Sequence, residues 1–166
     1  GYRFAADPSQ QLASMSGADI RRLIDGADYL FTNEYEAHLT EQKTGWDAGE
    51  IAARVGTRVI TKGAQGATVT SAGGAAVHVP VVPAQQIADP TGVGDAFRAG
   101  FMAGLSWGLE HQGCAQLGAL LATYVVETVG TQEYEHRLPG FVDRFATTYG
   151  SQAAATIADR LPAALR

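Results

Sequence analysis

The chain has 166 residues, 46% of them hydrophobic, enough for one ordinary globular domain with a core, which excludes a disordered or fibrous class. Its 12 Lys and Arg against 17 Asp and Glu give a formal charge of -5, with no basic cluster longer than Arg21-Arg22, so neither nucleic acid nor anionic membrane is expected as a partner. The single cysteine, Cys114, cannot form an internal disulfide and lies in an apolar helical stretch, where a packed small hydrophobe in a reduced, cytoplasmic setting is the expectation.

In chain order, Tyr2 to Ala6 reads as a short strand ending at Asp7-Pro8-Ser9. A helix follows from Ser16, the expected N-cap, with Asp19 at the capping-box offset, Ile20, Leu23 and Ile24 on one face and Gly26 as the stop. Tyr29 to Thr32 is a buried strand by its apolar run, and Asn33-Glu34-Tyr35-Glu36 opens a second helix at once. A helix over Asp47 to Arg54 leads to a strand at Arg58 to Thr61 and a turn at Lys62 to Gly66. Ala67 to Ser71 and Ala75 to Val81 then form a hairpin around Gly73-Gly74. After Asp89 the pattern is helical through Val93 to Trp107, Glu110 to Thr128, Gly140 to Tyr149 and Gln152 to Leu165. This order predicts an α/β fold, a mostly parallel sheet flanked by helices with a β-hairpin, and ligands beyond the carboxyl ends of its strands. The charge-free stretch from Gly63 to Ala88 is broken by glycine and proline, and the apolar stretch Gln112 to Val126 is too short to span a membrane. The chain opens Gly-Tyr-Arg-Phe without Met or a signal-like region, and reads as cut from something longer.

The stretch Ala88-Asp89-Pro90-Thr91-Gly92-Val93-Gly94-Asp95 places two glycines at a helix start. There, amide groups lack internal partners and the macrodipole adds positive charge, which makes an anion site open to phosphate. A carboxylate beside a bound phosphate suffers repulsion, and general-base chemistry is a reason for Asp95 to be present. A glycine turn with an acid in the first helical turn also caps many helices, and the spacing alone leaves both readings open. Phe97 stands where a dinucleotide fingerprint has its third glycine, and no P-loop occurs.

Asp89-Pro90-Thr91-Gly92-Val93-Gly94-Asp95-Ala96-Phe97 resembles the D-x-T-G-A-G-D-x-F signature of the PfkB family of carbohydrate and nucleoside kinases, with Val93 where Ala is usual. The resemblance implies a ribokinase-like fold with Asp95 as catalytic base and the amides of Gly92, Val93, Gly94 and Asp95 as an anion hole for the transferred phosphate. Asn33-Glu34-Tyr35-Glu36 is similar to the family's N-x-x-E, which implies that Asn33 and Glu36 organise magnesium and phosphate through water. Thr61-Lys62-Gly63-Ala64-Gln65-Gly66 is similar to its T-x-G-x-x-G, which implies that Thr61, Lys62, Gly63 and Gly66 line the ATP site. Taken alone, Asn33 with Glu36 reads as a capping pair, and Thr61 to Gly66 as a hairpin turn.

Within the family, Asp7 to Gln11, Gly92 to Phe101 and Glu127 to Tyr134 are similar to the actinobacterial type of adenosine kinase. This implies ATP and Mg2+ as cofactors and a potassium ion held by Asp89, Thr91 and the loop near Thr128 to Gln132. Charge behind the anion hole would strengthen it. The resemblance covers residues 1–166 as the C-terminal portion of the family fold; the N-terminal substrate and lid portion is absent, so a fragment inactive by itself and an exposed strand edge are expected. The implied function is transfer of the ATP γ-phosphate to a primary hydroxyl, that of the 5′ position of adenosine, by a homodimer when complete. A ribokinase-like or fructokinase-like sugar kinase and a non-catalytic nucleotide-binding fragment are the alternatives.

His38, His78, His111 and His136 lack metal-site spacing. Phe97, Phe101 and Leu105 form a core stripe, Ala96, Ala99, Gly100, Ala103 and Gly104 allow close helix packing, and Arg98 is expected in a surface ion pair.

Overall fold

Three helix starts carry their own side-chain caps, and these set the first half of the chain. The computed structural model describes residues 2–135 and 138–161. In helix α1 (Gly17–Ile24) the Ser16 hydroxyl accepts from the Asp19 amide; in α2 (Glu34–Thr44) and α3 (Ala48–Arg54), Asn33 with Glu36 and Asp47 with Glu50 form complete capping boxes. Each satisfies amide groups that a helix start otherwise leaves without partners.

The strands are β1 (Ala5–Ala6), β2 (Tyr29–Asn33), β3 (Thr57–Thr61), β4 (Ala67–Ser71) and β5 (Val77–Val79), which form one five-stranded sheet in the order β1-β2-β3-β4-β5. β1 runs parallel to β2 and β2 to β3, while β3 and β4 are antiparallel, so the sheet is mixed and parallel only over its first three strands. The five residues between β3 and β4 are too few for a parallel crossover. The strand expected over residues 2–6 shrinks to two residues because Asp28 competes for its start: the Phe4 amide and Arg3 Nε each donate to the Asp28 carboxylate over 2.9 Å.

The chain divides into two compact units, residues 1–78 and 79–166. In the first, Leu12, Ile20, Ile24, Leu30, Ile51 and Val55 form the buried core under the parallel strands. Lys43, at the end of α2, donates to the carbonyls of Leu12, Ala13 and Met15 at 2.6, 2.8 and 3.0 Å, tying that helix to the 3-10 turn Ser9–Ala13. Trp46 lies under two guanidinium groups, those of Arg21 and Arg54.

The second unit holds α4 (Val93–Ser106), α5 (His111–Val126), α6 (Leu138–Tyr149) and α7 (Ser151–Arg160). α4 and α5 meet along a seam of small residues: a Cβ at Gly100 would stand 2.7 Å from Gly118 Cα, and one at Gly104 would stand 2.9 Å from Cys114 Cα. Phe97 and Phe101 are buried beside this seam as the stripe predicts, while Leu105 is only partly covered. Burial pushes the Cys114 thiol up to about 11, so it packs as an apolar group. α6 begins at Leu138 rather than at Gly140 because Pro139 is tolerated in a first turn, where no amide is needed. α7 ends at Arg160, where Leu161 turns extended, as a residue before proline does; the remainder of that predicted helix, like His136, lies outside the described residues. Among the described residues no helix is long and apolar enough to cross a membrane.

Candidate active site

In the first unit two of the motifs meet at one sheet edge. Asn33 and Thr61 are register partners at the carboxyl ends of the adjacent parallel strands β2 and β3. Glu36 follows one helical turn after Asn33, buried, with its Oε2 accepting from the Asn33 amide over 2.8 Å while Asn33 Oδ1 accepts from the Glu36 amide over 2.8 Å. The capping-pair reading of these two residues is therefore what the backbone uses them for. Likewise Thr61 to Gly66 is a hairpin turn: the Lys62 amide donates to the Gly66 carbonyl over 2.7 Å around the 3-10 turn Gly63–Gln65. Gly66 closes it at φ 87°, ψ -137°, a conformation that L side chains rarely adopt.

In the second unit the glycine turn opens α4 as expected, and no side chain caps that helix start. Gly92 stands at φ 79°, ψ -2°, and a Cβ there would lie 2.7 Å from the Thr131 methyl carbon, so both its backbone angle and its surroundings require glycine. The Ala96 amide donates to the Gly92 carbonyl, which starts the helix; the amides of Gly94 and Asp95 stand in the turn before. Asp89 braces the turn. Its Oδ1 accepts from the Thr91 amide over 2.8 Å and its Oδ2 from the Gly130 amide over 3.4 Å. The Thr91 hydroxyl, then the Thr91 and Gly130 amides, hold this carboxyl below the ordinary carboxylate range. The second unit thus brings Asp89, Thr91, Gly92, Gly94, Asp95 and the expected loop near Gly130 together.

Asp95 faces solvent, with 86% of its side chain exposed, and Arg98 donates to its Oδ1 from Nη1 over 3.2 Å. The ion pair expected for Arg98 is present, but it is not a mere surface contact. The guanidinium is mostly covered and lies over the turn, its Nη1 2.9 Å from where a Gly94 Cβ would stand. The i,i+3 spacing of Asp95 and Arg98 is the signal that points to this pair. Glu127 and Arg144, 17 residues apart, carry no such signal: Arg144 donates to both carboxylate oxygens of Glu127, from Nη1 over 2.7 Å and from Nη2.

The chain belongs to the pfkB family of carbohydrate kinases, whose profile matches residues 2–137. It is 30% identical over 126 residues to a nucleoside kinase of Methanocaldococcus jannaschii, covering 76% of this chain and 41% of that protein. Adenosine kinase 1 of Arabidopsis thaliana is 31% identical over 119 residues, 62% of this chain and 34% of the relative. Among solved structures, Burkholderia thailandensis nucleoside kinase in complex with inosine superposes with a TM-score of 0.85 at 38% identity, over 89% of this chain and 49% of that one. The ribokinase-like α/β fold is thereby established, and the chain spans about half the length, or less, of the relatives it matches.

Proposed function

We propose that the full-length protein transfers the γ-phosphate of ATP to the primary 5′-hydroxyl of a nucleoside, with adenosine as the preferred acceptor. The observation that carries this reading is the uncapped start of α4, with Asp95 exposed in its first turn. Asp95 accepts the proton of the attacking hydroxyl as that oxygen bonds to the γ-phosphorus; the bond from phosphorus to the bridging oxygen breaks, and ADP leaves. The amides of Gly92, Gly94 and Asp95, with that of Val93 once it leaves the Pro90 carbonyl it meets at 3.4 Å, take up the charge of the transferred phosphoryl group, as donors already aimed at that position do. Family membership supports a phosphotransferase. The nucleoside kinases among the relatives, those of Methanocaldococcus jannaschii and Burkholderia thailandensis, support a nucleoside over a free sugar, and the adenosine preference rests on the resemblance of residues 7–11, 92–101 and 127–134 to that branch.

Three supporting roles belong to the same proposal. Asn33 and Glu36 fit magnesium only through water, because Asn33 Oδ1 and Glu36 Oε2 already accept backbone amides. Thr61, Lys62, Gly63 and Gly66 would line the nucleotide, with Gly63 exposed at the turn. Asp89, kept ionised by its amide and hydroxyl donors, fits a potassium ion together with Thr91. Magnesium would neutralise phosphate charge and potassium would add positive charge behind the anion hole.

The test is an ADP-release assay of the full-length protein with ATP and a panel of adenosine, inosine, cytidine, ribose and fructose. The highest kcat/KM is expected for adenosine. Preference for another nucleoside would remove adenosine and keep the nucleoside reading; preference for a free sugar would remove both.

A further inference from the structure

Residues 80–90 cross the second unit without regular secondary structure and deliver the turn at Asp89. This strap is fastened along its length. Tyr149 donates its hydroxyl to the Pro80 carbonyl over 2.7 Å, and Thr123 donates to that of Val82 over 3.0 Å. Farther along, the Ala88 and Asp89 amides donate to the Val126 carbonyl over 2.8 and 3.2 Å. These are neutral contacts. Between them the fastening changes character: the Gln85 amide donates to Glu127 Oε1 over 2.5 Å, Gln86 Nε2 donates to the Glu127 carbonyl over 3.0 Å, and Arg144 Nη2 donates to the Pro83 carbonyl over 2.8 Å. Glu127 and Arg144 grip each other bidentately with only 13% and 17% of their side chains exposed.

Taking two charges this far out of water contributes little net stability compared with apolar packing of the same volume. What a bidentate fork supplies is geometry, since two parallel hydrogen bonds fix both position and orientation. Glu127 is also the point from which the turn is set. Val126, one residue before it, holds the Ala88 and Asp89 amides, and Gly130, three residues after it, donates to the Asp89 carboxylate.

We propose that Glu127 and Arg144 are positioning residues for phosphoryl transfer. Their fork fixes where the strap enters the turn, and so where Asp89, Thr91 and the amides of Gly92 to Asp95 stand. The inference rests on the phosphotransferase reading above. A misplacement of about 1 Å by a change away from the chemistry is worth roughly 100-fold in rate, which sets the expected scale.

The experiment compares wild type, Glu127→Gln and Arg144→Lys in the full-length protein. It measures kcat and the nucleoside KM well below the thermal midpoint, the potassium concentration for half-maximal rate, and amide hydrogen exchange. Glu127→Gln keeps the size but loses the charged fork, and is expected to lower kcat about 10–100-fold while leaving the nucleoside KM within about twofold. It should raise the half-maximal potassium concentration and speed exchange over residues 85–93 but not over α1. Arg144→Lys keeps the charge but cannot span both oxygens and the Pro83 carbonyl, so a smaller shift in the same direction is expected. An active wild type matched by both variants in kcat and in exchange over residues 85–93, with only the thermal midpoint lowered, would overturn the positioning role. A wild type that phosphorylates no nucleoside or sugar overturns the functional reading and this inference together, and is told apart by that inactivity.

Discussion

Arg98 covers the turn that presents Asp95: the two residues share an ion pair of 3.2 Å, three positions apart on α4, with the carboxylate turned to solvent and the guanidinium drawn in over Gly94. The carboxylate proposed to stand beside phosphate is thereby partnered by a cation from its own helix. The pair leaves most of the carboxylate surface open, as the proposed proton transfer from a substrate hydroxyl requires.

Asp95→Asn keeps the size of the side chain and removes the proposed base. The kcat of the full-length protein is expected to fall about 10²–10⁴-fold, with ATP binding retained or tightened as carboxylate–phosphate repulsion is relieved. Stopped-flow single-turnover rates and nucleotide titration on the same variant check this; unchanged kcat would remove Asp95 from the chemistry.

Arg98→Gln removes the cation that offsets Asp95 and stands over the turn. Weaker ATP binding is expected, with unfolding free energy changed by only about 1 kcal/mol, because the carboxylate partner of the pair stands in solvent. Calorimetric ATP titration beside denaturant unfolding separates the two effects, and equal ATP affinity would restrict Arg98 to the helix surface.

Much of this arrangement is readable from the chain because its signals are local. Ser16, Asn33 and Asp47 announce helix starts through partners three residues on, and Gly92 and Gly66 mark turns that other residues adopt at a cost. The switch from parallel to antiparallel pairing is implicit in the short connection from Thr61 to Ala67. What is not readable depends on how helices roll. The i,i+3 spacing shows that Arg98 can reach Asp95, but not that its guanidinium is drawn in over Gly94, which follows from Phe97 and Phe101 turning the other face of α4 into the core. Glu127 meets Arg144 only when α5 and α6 lie side by side, and the strap they hold has no periodicity to read. Asp28 likewise shortens β1 through hydrogen bonds from residues 24 and 25 positions away.

Gly92→Ala places a side chain at φ 79° and against the Thr131 methyl carbon. A loss of about 1–3 kcal/mol in unfolding free energy is expected, together with lower kcat. Adding Thr131→Ser removes the methyl contact but not the backbone strain, so only part of the loss should return. Urea unfolding of the single and double variants tests this, and a neutral Gly92→Ala would mean that the turn relaxes freely.

Arg144, and the Gln85 amide after it, hold the Glu127 carboxyl below its ordinary value of 4.5, against the opposing effect of burial. A group with a depressed folded value binds fewer protons folded than unfolded, so its stabilisation is present above about pH 4.5 and is lost as pH falls through the folded value. Thermal midpoints of the wild type should therefore drop on the acid side more steeply than those of Glu127→Gln. Parallel curves would show that the pair does not couple to folding.

If Asp89 and Thr91 hold a monovalent cation, turnover should be faster in potassium than in a bulky organic cation at equal ionic strength. Equal rates would remove the cation while leaving the proposed phosphate site untouched.

The buried thiol of Cys114 also makes the α4–α5 seam observable. It is the only cysteine of the chain, and with its ionisation suppressed and its side chain shut behind Gly104 it can react with an aromatic disulfide reagent only when the two helices part. Labelling kinetics therefore time the breathing of the helix whose first turn carries Asp95. An occupant of that turn registers as slower labelling at a seam position about three helical turns farther along α4, without any added probe.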